Sequence, residues 1–256
     1  MQKTEVALSH LCFYFGSETV KQLELTPRLR AVAELVPVGA AIADIGTDHA
    51  YLPVWLLLEG KITRAIASDL REGPLARAKL TAKEYDCNKN IAFRLCDGLS
   101  GITPDEVDTI VIAGMGGETI AAILEQAAWT KNEAYTLILQ PMSSQNDLRR
   151  WLWQQGYGIR NEQIIREGNK LYNILFVKYG CAQKLTIGEE WAGCQTSDMK
   201  QELRGEYLTR LLEKTDRAID GISRGNGERD SVRLEELRLV RQALSEMKKE
   251  WDAWQR

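Results

Sequence analysis

The stretch Ala41-Ile42-Ala43-Asp44-Ile45-Gly46-Thr47-Asp48-His49-Ala50-Tyr51-Leu52-Pro53 decides the fold of this chain. A short β-favouring run ends in an acid and one glycine. A polar pair, Asp48 and His49, then stands just before a helix begins. Open α/β sheets bind ligands at the carboxyl ends of their strands, so Asp44, Gly46, Asp48 and His49 crowd into one turn at a candidate site. A lone D-x-G also fits an ordinary strand-to-helix turn in which Asp48 caps the helix.

Working outward, Thr26-Pro27 supplies an N-cap and a proline at the first helical position, and Leu29, Val32, Ala33 and Val36 recur at helical spacing until Pro37 and Gly39. β-type runs are expected at 41–45, 65–68, 91–95, 109–113 and 136–139, alternating with helices at 51–58, 74–85, 118–127 and 146–155. Two further strands, 159–165 and 171–179, join through Glu167-Gly168-Asn169. Runs such as T-I-V-I-A and T-L-I-L suit central parallel strands covered on both faces. The expectation is an α/β fold, a doubly wound sheet of seven strands closed by a β-hairpin, over residues 23–180.

Beyond Gly180 the strand signals stop, and residues 181–256 read as helix, a break, and helix again. Leu237, Val240, Leu244, Met247, Trp251 and Trp254 fall at steps of three and four, and Leu208, Leu212, Ile219 and Ile222 form a matching stripe. The expectation is an antiparallel coiled-coil hairpin turning at Gly225-Asn226-Gly227. It serves either as a stabilising or dimerising element or as an arm that grips a large substrate. Residues 1–22 read as a loosely ordered extension.

The chain has 256 residues, 44% of them hydrophobic, enough for one sizeable core and a small second unit. A net charge of −3 supplies no global basic field for coating nucleic acid, although local patches are compatible with it. Cys12, Cys87, Cys96, Cys181 and Cys194 are odd in number and scattered, without the C-x-x-C spacing of zinc or redox sites, which points to a reducing cytoplasm and no metal. No apolar run approaches the roughly 20 residues of a membrane span.

Asp69 ends the second strand 23 positions after Gly46, where nucleotide-binding α/β folds place the acid that accepts ribose hydroxyls. That feature fits NAD and S-adenosylmethionine equally. Asp97-Gly98 follows the third strand, so Asp44, Asp69 and Asp97 reach one sheet edge, suited to a cationic or amine-bearing ligand. A pyrophosphate would call for G-x-G-x-x-G, whereas Asp48 stands here beside a single Gly46. The sulfonium cofactor is therefore favoured over NAD. Ala113-Gly114-Met115-Gly116-Gly117 ends the fourth strand and leaves room for close approach to backbone. The Asp/Asn-Pro-Pro-aromatic loop that many amino methyltransferases carry at this point is absent. Asp48 and His49 become the candidates for orienting an acceptor, backed by Gln140-Pro141 and Tyr172-Asn173. Arg28, Arg30, Arg149, Arg150, Arg160, Arg166 and Lys170 are candidate phosphate contacts.

The motifs D-I-G-T-D-H-A-Y-L-P, I-V-I-A-G-M-G-G and L-I-L-Q-P, with the leading L-T-P-R-L, resemble the bacterial tRNA (adenine-22-N1)-methyltransferase family, TrmK-type. The likeness runs from Leu25 to Tyr179; the extension before Leu25 departs from it. It implies a Rossmann-like class I methyltransferase fold, S-adenosyl-L-methionine as cofactor and tRNA as partner. It further implies a cofactor pocket of Asp44, Gly46, Asp69, Leu70, Asp97, Gly98, Ala113, Gly114, Met115 and Gly116, with Asp48 engaging the acceptor adenine. The other readings kept open are methylation of a small-molecule acceptor and a non-catalytic RNA-binding protein. Monomer and homodimer are both compatible with the sequence.

Overall fold

The computed structural model describes residues 23–223 and 228–255. The expected 1–22 extension and the turn at Gly225-Asn226-Gly227 lie outside the described residues. Helix α1 (Pro27–Leu35) starts at Thr26, whose hydroxyl accepts the Leu29 N–H. Then β1 (Ala41–Ile45), α2 (Tyr51–Leu58), β2 (Arg64–Asp69), α3 (Glu72–Glu84), β3 (Ile91–Leu95), β4 (Thr109–Gly116), α4 (Gly117–Gln126), β5 (Thr136–Ser143) and α5 (Gln145–Gln154) alternate. The hairpin β6 (Tyr157–Glu167) and β7 (Lys170–Tyr179) closes the sheet.

The order is β3-β2-β1-β4-β5-β7-β6, with β7 antiparallel to both of its neighbours. Side chains alternate across this sheet as the pleat demands. Ile42, Val111 and Ile138 enter the core under α1, α2 and α3, whereas Ala43, Ile110, Ile112, Leu137 and Leu139 enter the core under α4 and α5. With both faces covered, the continuous apolar runs of β1, β4 and β5 are accounted for. The chain winds outward from β1 to β3 and restarts at β4 beside β1, so the topological switch point lies between the ends of β1 and β4.

At the switch-point edge two strands run past their expected ends. β4 extends to Gly116 and β5 to Ser143, and their pairing is irregular between Ala113 and Gly116. Gly114 has φ +82 and its N–H turns to the side chain of Gln140, so a bulge ends the ladder where a plain strand end was expected.

After the hairpin come a short helix α6 (Ile187–Ala192), unforeseen, and the expected pair α7 (Arg204–Ile222) and α8 (Glu228–Trp254). The pair is antiparallel: Arg241 bonds Asp216, and Gly205 faces Trp251. Tyr207, Leu208, Val240, Leu244, Met247 and Trp251 form a third core that also takes in Ile164 of β6 and Ala192 of α6. Trp254, expected in this stripe, is 38% exposed, resting edge-on against Trp251 near the end of the helix. The β6–β7 turn is gripped by α7: Glu206 binds Arg166, and Arg210 donates to the carbonyl of Asn169 at 2.6 Å. Among the described residues no helix is long and apolar enough to cross a membrane, and no His/Cys/Asp/Glu group could hold a metal ion.

Candidate functional site

A cleft of about 310 Å³ opens at the switch point, lined by Arg28, Asp44, Gly46, Thr47, Asp48, His49, Tyr51, Ala113 and Gly114, with Leu29, Ala50 and Leu52. The β1–α2 turn is built by backbone. The N–H groups of Gly46 and Thr47 both donate to the Ser68 carbonyl, at 2.8 and 2.9 Å. Gly46 sits at φ +75, and a Cβ there would meet the Met115 methyl at 2.1 Å, so conformation and space both demand glycine. Asp48 does not cap α2; the Thr47 hydroxyl accepts the Ala50 N–H instead, at 3.1 Å.

Asp44 is buried at the end of β1. Burial pushes its carboxyl up to about 6 from the ordinary 3.8, against a hydrogen bond with Thr47 that lowers it. Asp48, by contrast, keeps 61% of its side chain exposed at the mouth. One of its oxygens is bound by Arg77 of α3 and the other lies 3.5 Å from His49 Nε2. The Arg77 hydrogen bond holds the Asp48 carboxyl below the usual range, so it is a carboxylate at neutral pH. The His49 ring stacks on Tyr51 at 5.0 Å and 5°.

Asp69 and Leu70 end β2, with Asp69 buried and Oδ1 accepting the Arg71 N–H at 2.8 Å, and Leu70 66% exposed. Asp97 is exposed beyond β3, beside Gly98 at φ +53. These four stand at neighbouring strand ends rather than in the cleft lining. Met115 and Gly116 continue the β4 bulge, Met115 lying against Gly46.

The proposed RNA contacts divide. Arg28 enters the cleft wall, where Nη1 donates to Gln140 Oε1 at 2.5 Å and the guanidinium lies 5.5 Å from the Tyr172 ring centroid. Gln140 and Pro141 are buried, so neither presents a surface to a macromolecule; Gln140 instead joins Arg28 to the Gly114 N–H. Arg149 is fully buried, which corrects its reading as a phosphate contact. Its Nε and Nη2 bind Glu162 and its Nη1 donates to the carbonyls of Glu190 and Trp191. Asn173 is likewise buried and donates to Glu162 at 3.0 Å. Arg150 is half exposed but holds Glu190 through Nε and Nη2. Arg30 is ion-paired to Glu34, Arg166 to Glu206, Arg160 donates to the Gly180 carbonyl, and Lys170 is exposed. No continuous basic patch forms from this set, because its members are distributed among internal partners. Thr47, Arg77 and Glu167 escaped the reading. Thr47 stood inside the quoted stretch, whereas Arg77 and Glu167 act through tertiary contacts that carry no local signal.

The residues fit an adenosyl sulfonium amino acid. The cleft offers a buried carboxylate, a guanidinium and a turn without side chain, and it holds no phosphate cradle. Buried polar atoms without hydrogen-bond partners stand at its edge, Arg28 Nε in the wall and Ser68 Oγ at the β2 end.

A methyltransferase-domain family profile matches residues 25–175. The tRNA (adenine(22)-N(1))-methyltransferase of Bacillus subtilis (strain 168) is 41% identical over 161 residues, 63% of this chain and 68% of that protein. The crystal structure of the B. subtilis m1A22 tRNA methyltransferase TrmK superposes with a TM-score of 0.81 at 34% identity, covering 89% of this chain and 100% of that one. Streptococcus pneumoniae Sp1610 in complex with S-adenosyl-L-methionine gives a TM-score of 0.74 at 34% identity, covering 86% of this chain and 100% of that one. M. capricolum TrmK in complex with S-adenosyl-homocysteine gives 0.68 at 26% identity, covering 86% and 99%. On the strength of the matched domain and of these relatives, the chain belongs to the tRNA (adenine(22)-N(1))-methyltransferase family.

Proposed function

We propose that this chain transfers a methyl group from S-adenosyl-L-methionine to N1 of adenine 22 in tRNA. The observation that carries this reading is the cleft at the switch point, with an ionised Asp48 at its mouth, in a chain of this family. When bound, the cofactor supplies an electrophilic methyl on a cationic sulfur. Asp44 would hold its amino-acid end, Asp69 its ribose, and Leu70, Asp97 and Gly98 its adenine. Gly46 and the turn Ala113-Gly114-Met115-Gly116 would leave space along the backbone.

Adenine N1 carries a lone pair in the neutral base, so the residues need to place the base more than to deprotonate it. Asp48 accepts a hydrogen bond from the N6 amino group and stabilises the positive charge that develops on the ring. His49 and Tyr51, stacked and partly exposed beside it, offer a flat face for the base. N1 lies on the pairing edge, so the target nucleotide must be opened or flipped before it reaches Asp48. Residues 23–180 carry this chemistry in our reading and residues 181–256 form a helical arm. A tRNA substrate and cysteines that are free among the described residues accord with a reducing cytoplasm as the site of action in our reading.

The test is incubation with labelled S-adenosyl-L-methionine and unmodified tRNA, followed by nucleoside identification and mapping of the modified position. N1-methyladenosine at position 22 is expected. Label at another atom or position, or none in RNA from a protein that binds the cofactor, would overturn the assignment.

A further inference from the structure

The acceptor side of the site depends on Asp48, and the turn that carries Asp48 gives its carboxylate no capping role, since the Ala50 N–H goes to Thr47. The hold on Asp48 comes from α3. Arg77 Nη2 donates to Asp48 Oδ1 from 29 residues away in the chain. Oδ2 stands on the other side, 3.5 Å from Nε2 of His49, whose ring stacks on Tyr51. Arg71, a third cation near Asp48, is drawn instead to Asp69 Oδ1 at 3.7 Å.

The platform under Arg77 is firm. Leu75, Ala78, Thr81 and Ala82 bury one face of α3, which packs against β2, β3 and α2. The Thr81 hydroxyl donates to the Arg77 carbonyl at 3.2 Å. The ion pair itself adds little to the fold, because its two side chains are 46% and 61% exposed and solvent screens such pairs. What it supplies is direction. A carboxylate pinned through one oxygen keeps its plane, and lone pairs on the other oxygen stay available to a donor. That other oxygen, Oδ2, is the one beside the flat His49–Tyr51 face.

We infer that Arg77 is a positioning residue for the methyl transfer: it grips Asp48 Oδ1 so that Oδ2 meets the N6 amino group of the acceptor adenine. The inference deepens the reading of Asp48 given above and rests on it.

The test is steady-state methylation of unmodified tRNA, at saturating S-adenosylmethionine, by the wild type, Arg77→Met, Arg77→Lys, Asp48→Ala and the double variant Arg77→Met/Asp48→Ala. Arg77→Met should lower kcat about 10-fold, as expected when a contact to the reacting group is misplaced. Its KM for tRNA, its cofactor affinity and its Tm should match the wild type. Arg77→Lys should recover most of the loss, since Asp48 draws on one donor of the guanidinium and an ammonium also supplies one. In the Asp48→Ala background Arg77→Met should cost nothing further, because the two residues act as one unit. A raised KM for tRNA with kcat intact would make Arg77 a phosphate contact and overturn the inference. So would wild-type kcat in Arg77→Met, an undiminished loss in the Asp48→Ala background, or a loss that follows a lowered Tm and is as large in Arg77→Lys. Wild-type turnover in Asp48→Ala overturns the reading of Asp48 itself, and this inference with it.

Discussion

Arg28 and Arg149 are two arginines on amphipathic helices, both legible in the sequence as RNA contacts, and the structure gives them opposite lives. Arg149 is buried with its donors consumed: Glu162 takes Nε and Nη2, and two carbonyls near the end of α6 take Nη1. Burial works against its charge and Glu162 more than restores it, so its basicity is raised. Arg28 is held as firmly but retains a buried Nε without a hydrogen-bond partner and faces a cleft. Position on a cleft wall separates Arg28 from Arg149, where residue type and burial alone do not.

Arg149→Met gives the largest effect expected from this contrast. It strands Glu162 among buried neighbours, and breaking one side of a buried pair costs about 3–5 kcal/mol of folding stability. Thermal unfolding measures that loss, and cofactor affinity at a temperature where the variant is folded should stay within about twofold. A stable Arg149→Met that fails to bind tRNA would break the contrast. Asp48→Ala is next: kcat should fall about 100-fold, as for removal of one preorganised charge contact. Its exposed position predicts a stability change within about 0.5 kcal/mol, and cofactor binding is retained. Wild-type turnover in Asp48→Ala would remove it from the chemistry.

The smallest effect sharpens the cleft side through pH. Asp44 titrates near 6 in the fold, above its ordinary 3.8, so its contribution to stability is complete below the ordinary value and is lost as pH rises through about 6. On its account the ligand-free protein melts higher at pH 5 than at pH 7.5, and Asp44→Asn flattens that difference. Affinity for the ammonium-bearing cofactor runs the other way, falling about tenfold per pH unit below 6 in the wild type. A flat affinity profile between pH 5 and 7 would show that Asp44 is not its partner.

Much of the scaffold was legible because period and punctuation agreed. β1, α2 and β3 occupy their expected residues, since alternating apolar runs bounded by Gly, Pro and acids leave little choice. The β4 bulge was not legible, because only the partner Gln140, 26 residues downstream, shows where the Gly114 N–H goes. α6 was missed for its length of six residues, although its Thr186/Glu189 capping box was readable. Arg149 lies next to Leu148 on the flank of the apolar face of α5, where a basic residue reads as the edge of a solvated face. Its carboxylate comes from β6 and its covering carbonyls from α6, neither of which local sequence announces.

The β6–β7 turn has a mechanical consequence. Neighbouring residues face opposite directions there: Arg166 is clasped by Glu206 of the arm, and Glu167 holds both the backbone and the side chain of Arg28. With 27 residues, α8 makes the arm a lever about 40 Å long. Its fulcrum stands one residue away from the partner of the cleft arginine. A load on the far end of that lever reaches the turn through Glu206 on Arg166, through Arg210 on the Asn169 carbonyl and through the apolar core that Ile164 shares with the arm, so the arm cannot swing without breaking these contacts or dragging the pocket wall along with it.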